Sequence, residues 1–93
     1  MYFFVKSEVT SDKVDEFTRK VANKEMQTVE GNLSYVTPDG CYGYDIVECR
    51  DENECRQKYN TLVQHGLKII EMKPIAPMGQ FIEAWKQKQR PAA

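Results

Sequence analysis

A strand that is apolar on both faces, in a chain with only two substantial helices to cover it, constrains this fold more than any other feature. Tyr2-Phe3-Phe4-Val5 opens the sequence, and successive strand residues face opposite sides of a sheet. Strand and helix patterns then alternate through the 93 residues in the order strand, helix, strand, turn, strand, helix, strand. Two helices cover one face of a small sheet. The other face calls for a second layer, most simply a second copy of the chain. A single domain of this length has a small core, to which dimerisation adds apolar burial.

The first strand is expected from Tyr2 to Val9 and gives way to Thr10-Ser11-Asp12. There Ser11 can accept a backbone N–H, and Asp12, Asp15 and Glu16 suit the positive start of a helix. Val14, Phe17 and Val21 recur at helical spacing as its buried stripe. Met26 and Val29 drift off that stripe, and Gly31 is the expected stop. Leu33 to Thr37 is β-rich and meets Pro38-Asp39-Gly40, a turn in which proline presets one angle, aspartate bonds its own backbone and glycine takes positive φ. The return strand, Cys41 to Cys49, puts Tyr42, Tyr44, Ile46 and Glu48 on one face and Gly43, Asp45, Val47 and Cys49 on the other. Gly43 marks a bulge or a close approach.

Asp51-Glu52-Asn53-Glu54 reads as a capping box, with Asp51 capping the helix and Glu54 reaching back. The second helix is expected to bury Cys55, Tyr59, Leu62 and Val63 and to close at Gly66. Leu67 to Met72 is the last strand, ended by Lys73-Pro74. Residues 77–93 form an extension in which Phe81, Ile82 and Trp85 have the spacing of a short helix, followed by a frayed basic end from Lys86 to Ala93. Trp85 is expected to be packed, docked on this chain's sheet edge or a partner's, because such a ring wastes apolar area in water. A membrane-touching or partner-binding role for this helix, helped by Lys86, Lys88 and Arg90, is the functional alternative. It is too short to anchor alone.

These elements predict an α+β fold over residues 1–76, the ferredoxin-like βαββαβ arrangement with a four-stranded antiparallel sheet and both helices on one side. The formal charge of -1 lacks the basic surplus of a phosphate-backbone binder. The third strand, moreover, carries Asp45 and Glu48 and no Lys or Arg, so nucleic acid is not an expected partner. The opening apolar run is far shorter than a signal-peptide core or a membrane span, which predicts a soluble, cytoplasmic protein with no membrane partner. Three cysteines, Cys41, Cys49 and Cys55, cannot all pair. On one strand Cys41 and Cys49 would stand roughly 26 Å apart, beyond disulfide reach. Together with the lone His65 the cysteines have no local metal-ligand spacing, so neither a metal nor a cofactor is expected.

Four segments, Met1 to Val5, Gly31 to Val36, Tyr44 to Asp51 and Ile70 to Ile75, resemble a family of small uncharacterised microbial proteins over about residues 1 to 75. That family resembles a branch of the dimeric α+β barrel group, in which two ferredoxin-like protomers meet sheet to sheet. The resemblance implies a homodimer. It defines no catalytic residues. The chain departs from the family in having Tyr59 as the only aromatic of the second helix and in its longer tail with Trp85. Wider relatives of the group include antibiotic-biosynthesis-type monooxygenases, haem-degrading enzymes and small polyketide cyclases, some of which resemble the Tyr59-x5-His65 pairing near the end of that helix.

Two classes of function follow. As a binding or interaction protein, the chain would hold a small apolar or aromatic ligand, with Tyr42, Tyr44 and Tyr59 as the candidate lining. A dimer core is the plainer use of the same tyrosines. As a cofactor-free monooxygenase or cyclase, it would use His65 as base and Tyr59 to orient or donate to the substrate, since His65 alone has an ordinary pKa suited to proton transfer near neutrality. An imidazolium in the last turn of a helix has a structural use as well. Cys49 and Cys55, near a helix start, are either nucleophiles or buried inert thiols, and the acids around them oppose a thiolate. Asp45, an acid in an apolar strand, either pairs with a cation across the sheet or faces a cavity.

Overall fold

The computed structural model describes residues 1–29 and 33–89. Four strands and three helices follow one another as β1 (Tyr2–Glu8), α1 (Val14–Ala22), β2 (Leu33–Val36), β3 (Tyr42–Glu48), α2 (Glu52–Gln64), β4 (Lys68–Ile75) and α3 (Met78–Gln89). The sheet order is β2-β3-β1-β4, and each neighbouring pair is antiparallel. This is the ferredoxin-like arrangement with a helix added at the C-terminal side.

Alternation along β1 decides the two faces. Phe3, Val5, Ser7 and Val9 are buried, whereas Tyr2, Phe4, Lys6 and Glu8 are only partly covered. Across the ladder Phe3 faces Val47 and Val5 faces Asp45, so β3 turns Gly43, Asp45 and Val47 toward the helices. Helix α2 contributes Cys55, Tyr59 and Leu62 to the core, and α1 lays Val14, Phe17 and Val21 against it. Burying each large side chain of this kind contributes roughly 1.5–3 kcal/mol. The opposite face carries Tyr2, Phe4, Tyr42, Tyr44 and Ile46, and among the described residues no helix covers it.

Local chemistry sets the element ends. Thr37 donates its backbone N–H to the Tyr42 carbonyl at 2.9 Å, and Gly40 takes φ +78 in the turn between β2 and β3. A Cβ at Gly40 would also stand 2.9 Å from the Val14 side chain. Asp51 accepts the Glu54 N–H at 2.8 Å as the expected cap of α2, but the Glu54 carboxylate turns to Arg50 instead of reaching back. Gly66, at φ +110, closes that helix as expected.

Several expectations are corrected. Ser11 does not cap α1, which starts after Lys13 with no side-chain cap. That helix ends at Ala22, and Lys24 takes the left-handed turn (φ 57) beyond it. Gly31, the expected stop, lies outside the described residues, as does the tail from Arg90. Val63 is exposed rather than buried, because it sits beside the Tyr59 and Leu62 stripe and not on it. Strand β4 runs on through Pro74 to Ile75, since at the edge of the sheet a residue without an N–H is tolerated.

The largest correction concerns Trp85. Helix α3 buries none of its residues, and Trp85 is 53% exposed. Ala76-Pro77 carries the helix away from the sheet, so the molecule measures 61 × 24 × 18 Å with a radius of gyration of 16.8 Å, against about 12 Å for a compact domain of this length. Among the described residues, the chain's own sheet edge does not receive this helix. Among the described residues no helix is long and apolar enough to cross a membrane.

Candidate functional site

Hairpin geometry creates the polar centre of the protein. Folding β2 back on β3 about the Pro38 to Gly40 turn brings Ser34 directly opposite Asp45, and the Ser34 hydroxyl donates to Asp45 Oδ1 at 2.6 Å. From the helix layer Tyr59 donates its phenol to Asp45 Oδ2 at 2.7 Å. The carboxylate is thereby held by one neutral donor on each oxygen. Tyr59 is 1% exposed, and burial, followed by the hydrogen bond to Asp45, pushes its phenol well above the usual tyrosine range. Tyr59 is therefore a fixed donor and not a proton-transfer group at ordinary pH.

This trio sits in a cleft of about 240 Å³ between sheet and helices. Val9, Phe17, Val21, Val29, Leu62 and Leu67 form much of its apolar wall. Gly43 belongs to the same space, and there is no bulge here, because the β1 and β3 register is continuous. It marks a close approach instead: a Cβ at this position would lie 2.9 Å from Ser7 Oγ. Apolar walls with a few convergent polar groups are features that small-molecule pockets in general share.

The candidate residues are divided among three surfaces. Tyr59 lies in the cleft. Tyr42 and Tyr44 lie on the opposite, open face, where Lys6 stands 5.6 and 5.9 Å from their ring centres and Phe4 is 6.5 Å from Tyr44. Glu8, directly across from Tyr42, raises the Tyr42 phenol by hydrogen bonding and charge. His65 is exposed at the C-terminal cap of α2, where its Nδ1 is 2.9 Å from the Thr61 carbonyl oxygen. It lines a separate shallow cleft with Lys13, Glu16 and Lys20. The structure does not bring His65 and Tyr59 together.

Cys49, just after β3, and Cys55, in the first turn of α2, are buried neighbours. Burial first, then hydrogen bonding and charge from Cys49, push the Cys55 thiol up to about 12, so it is not a ready nucleophile. Cys41 is also shifted upward, by desolvation and then by Asp39. All three cysteines are free thiols. Among the described residues no three His, Cys, Asp or Glu side chains converge as a metal centre requires.

Asp45 faces the cleft, which resolves the choice left open by its position in the strand. Ser34 escaped the sequence reading altogether. The signal was present, because counting back equally from the turn pairs position 34 with 45. Compared with family models, curated proteins and solved structures, the chain matches none.

Proposed function

We propose that the chain is a homodimeric small-ligand-binding protein of the dimeric α+β barrel type, with its ligand in the cleft between sheet and helices. The observation that carries this reading is the Asp45 carboxylate, held by Ser34 and Tyr59 inside an otherwise apolar cleft. A fold serving stability alone gains nothing from a half-buried acid at that point, since an apolar residue would fill the space without desolvating a charge. The open face supports the dimer. Leu33 and Tyr35, the latter 66% exposed, continue the aromatic surface of Tyr2, Phe4 and Tyr44 on the same side of the sheet, and a second sheet would cover it. The binding reading is preferred to catalysis by His65 and Tyr59, because those residues line different clefts.

Native mass spectrometry of freshly purified protein, with and without an added library of small aromatic compounds, tests both parts. The expected result is twice the mass of one chain, carrying a bound molecule that Val36→Trp excludes by filling the mouth of the cleft. Val36 is an exposed strand residue at the rim, so the variant should fold. A single-chain mass at all concentrations removes the dimer, and retention of every compound by Val36→Trp removes the cleft.

A further inference from the structure

We infer that the ligand of this cleft is an apolar molecule bearing a cationic nitrogen with at least two N–H donors, a primary ammonium or an amidinium, that binds Asp45. The inference rests on the binding role proposed above and names the chemistry that such a site selects.

Charge is the first argument. Among the described residues lining the cleft, Asp45 is the only carboxylic acid, and none is Lys, Arg or His. Asp45 forms no salt bridge among the described residues, although seven other ion pairs are present there. Ser34 and Tyr59 donate hydrogen bonds, but both are neutral donors and leave the carboxylate charge in place. A partly desolvated anion with hydrogen bonds and no counter-charge is complementary to a cation.

Geometry is the second argument. A carboxylate oxygen has two acceptor positions. Ser34 uses one on Oδ1 and Tyr59 one on Oδ2, which leaves one on each oxygen. Two N–H groups on one nitrogen centre, or on the fork of an amidinium, match that pair. An alcohol supplies a single donor and no charge. A carboxylate ligand would meet Asp45 with like charge and no protein cation between them. The apolar wall formed by Val9, Phe17, Val21 and Leu62 then receives the rest of the molecule, and about 240 Å³ sets its size at that of a single substituted ring.

Isothermal titration with phenethylamine, 2-phenylethanol, 3-phenylpropanoate and trimethyl(phenethyl)ammonium tests the inference, since the four share one ring and differ in charge and N–H donors. Phenethylamine is expected to bind about tenfold more tightly than 2-phenylethanol, the advantage of a charge-assisted hydrogen bond over a neutral one. It should also exceed the trimethylated cation, with 3-phenylpropanoate weakest. Asp45→Asn should remove most of the advantage of phenethylamine over 2-phenylethanol. If that variant does not fold, the ranking on the wild-type protein still decides. Equal binding of all four, a preference for the alcohol or carboxylate, or amine binding untouched by Asp45→Asn overturns the cation while leaving the cleft as a binding site. Failure of all four to bind, together with no compound excluded by Val36→Trp, overturns both.

Discussion

Helices α2 and α3 have nearly the same length, 13 and 12 residues, and each repeats apolar residues along one stripe. Their fates differ. Helix α2 buries Cys55, Tyr59 and Leu62 against the sheet, while α3 leaves Phe81, Ile82 and Trp85 in contact with water. Spacing identifies which side of a helix is apolar, and the connection before it decides whether that side can reach anything. The loop from β3 returns α2 over the sheet. Ala76-Pro77 sends α3 outward, and among the described residues its stripe finds no surface within the chain.

The sharpest way to break this comparison is to truncate the anchors. Tyr59→Ala should destabilise the fold by about 3–5 kcal/mol in urea unfolding, the usual range for a buried aromatic. Trp85→Ala should change it by less than about 0.5 kcal/mol, as at other exposed sites. A large loss at Trp85 would mean that α3 is covered in solution, and its dependence on protein concentration would identify a second copy as the cover. Deletion from Pro77 onward should likewise leave the melting temperature close to that of the full chain, and Trp85 should emit as a water-exposed indole.

A middle-sized effect is expected at the polar end of Tyr59. Tyr59→Phe keeps the ring and removes the donor to Asp45, so stability should fall by about 1.5–3 kcal/mol, the range for a hydrogen bond to a charged group. A loss as large as that of Tyr59→Ala would contradict the hydrogen-bonded placement of the ring.

Helix starts give a smaller contrast. Asp51 caps α2 with its side chain, whereas no side chain caps α1. Asp51→Ala should cost about 1 kcal/mol, and Ser11→Ala, away from any cap, should be close to neutral.

The smallest effect is one of pH. The Thr37 hydroxyl and the Cys41 N–H hold Asp39 below the usual carboxylate range, and Arg50 does the same for Glu54. A carboxylate whose folded pKa is depressed adds stability above its unfolded pKa and loses it as pH falls through the folded one. The melting temperature should therefore decline on acidification below the usual carboxylate range, and Thr37→Val should lessen that decline. Asp39 is exposed and Glu54 remains partly accessible to solvent, so the slope should be shallow.

Much of the fold was legible because local signals agreed with one another. The Pro38-Asp39-Gly40 turn, the Asp51 cap and the two stripes at Val14 and Tyr59 each pointed to the same element order. What escaped required knowledge of neighbours. Pro74 read as a stop because an interior strand would not accept it, and only the sheet order makes β4 an edge. Asp45 was noticed as an odd acid, but its meaning depends on Ser34 across the hairpin and Tyr59 from the helix layer. Cys49 and Cys55 meet because a strand end and a helix start converge in the core. Tyr42 and Tyr44 were grouped with Tyr59 as one lining, although strand parity sends them to the other face.

Pro74 has a consequence outside the folded molecule. An outer strand exposes a row of N–H and C=O groups on which further strands can assemble into fibrils. Along β4 that row is interrupted, because proline contributes no N–H and Lys73 beside it adds charge. At crowded concentrations the interruption works against cross-β growth from this edge, so the chain can keep an aromatic, partly exposed sheet without β4 becoming a template for aggregation.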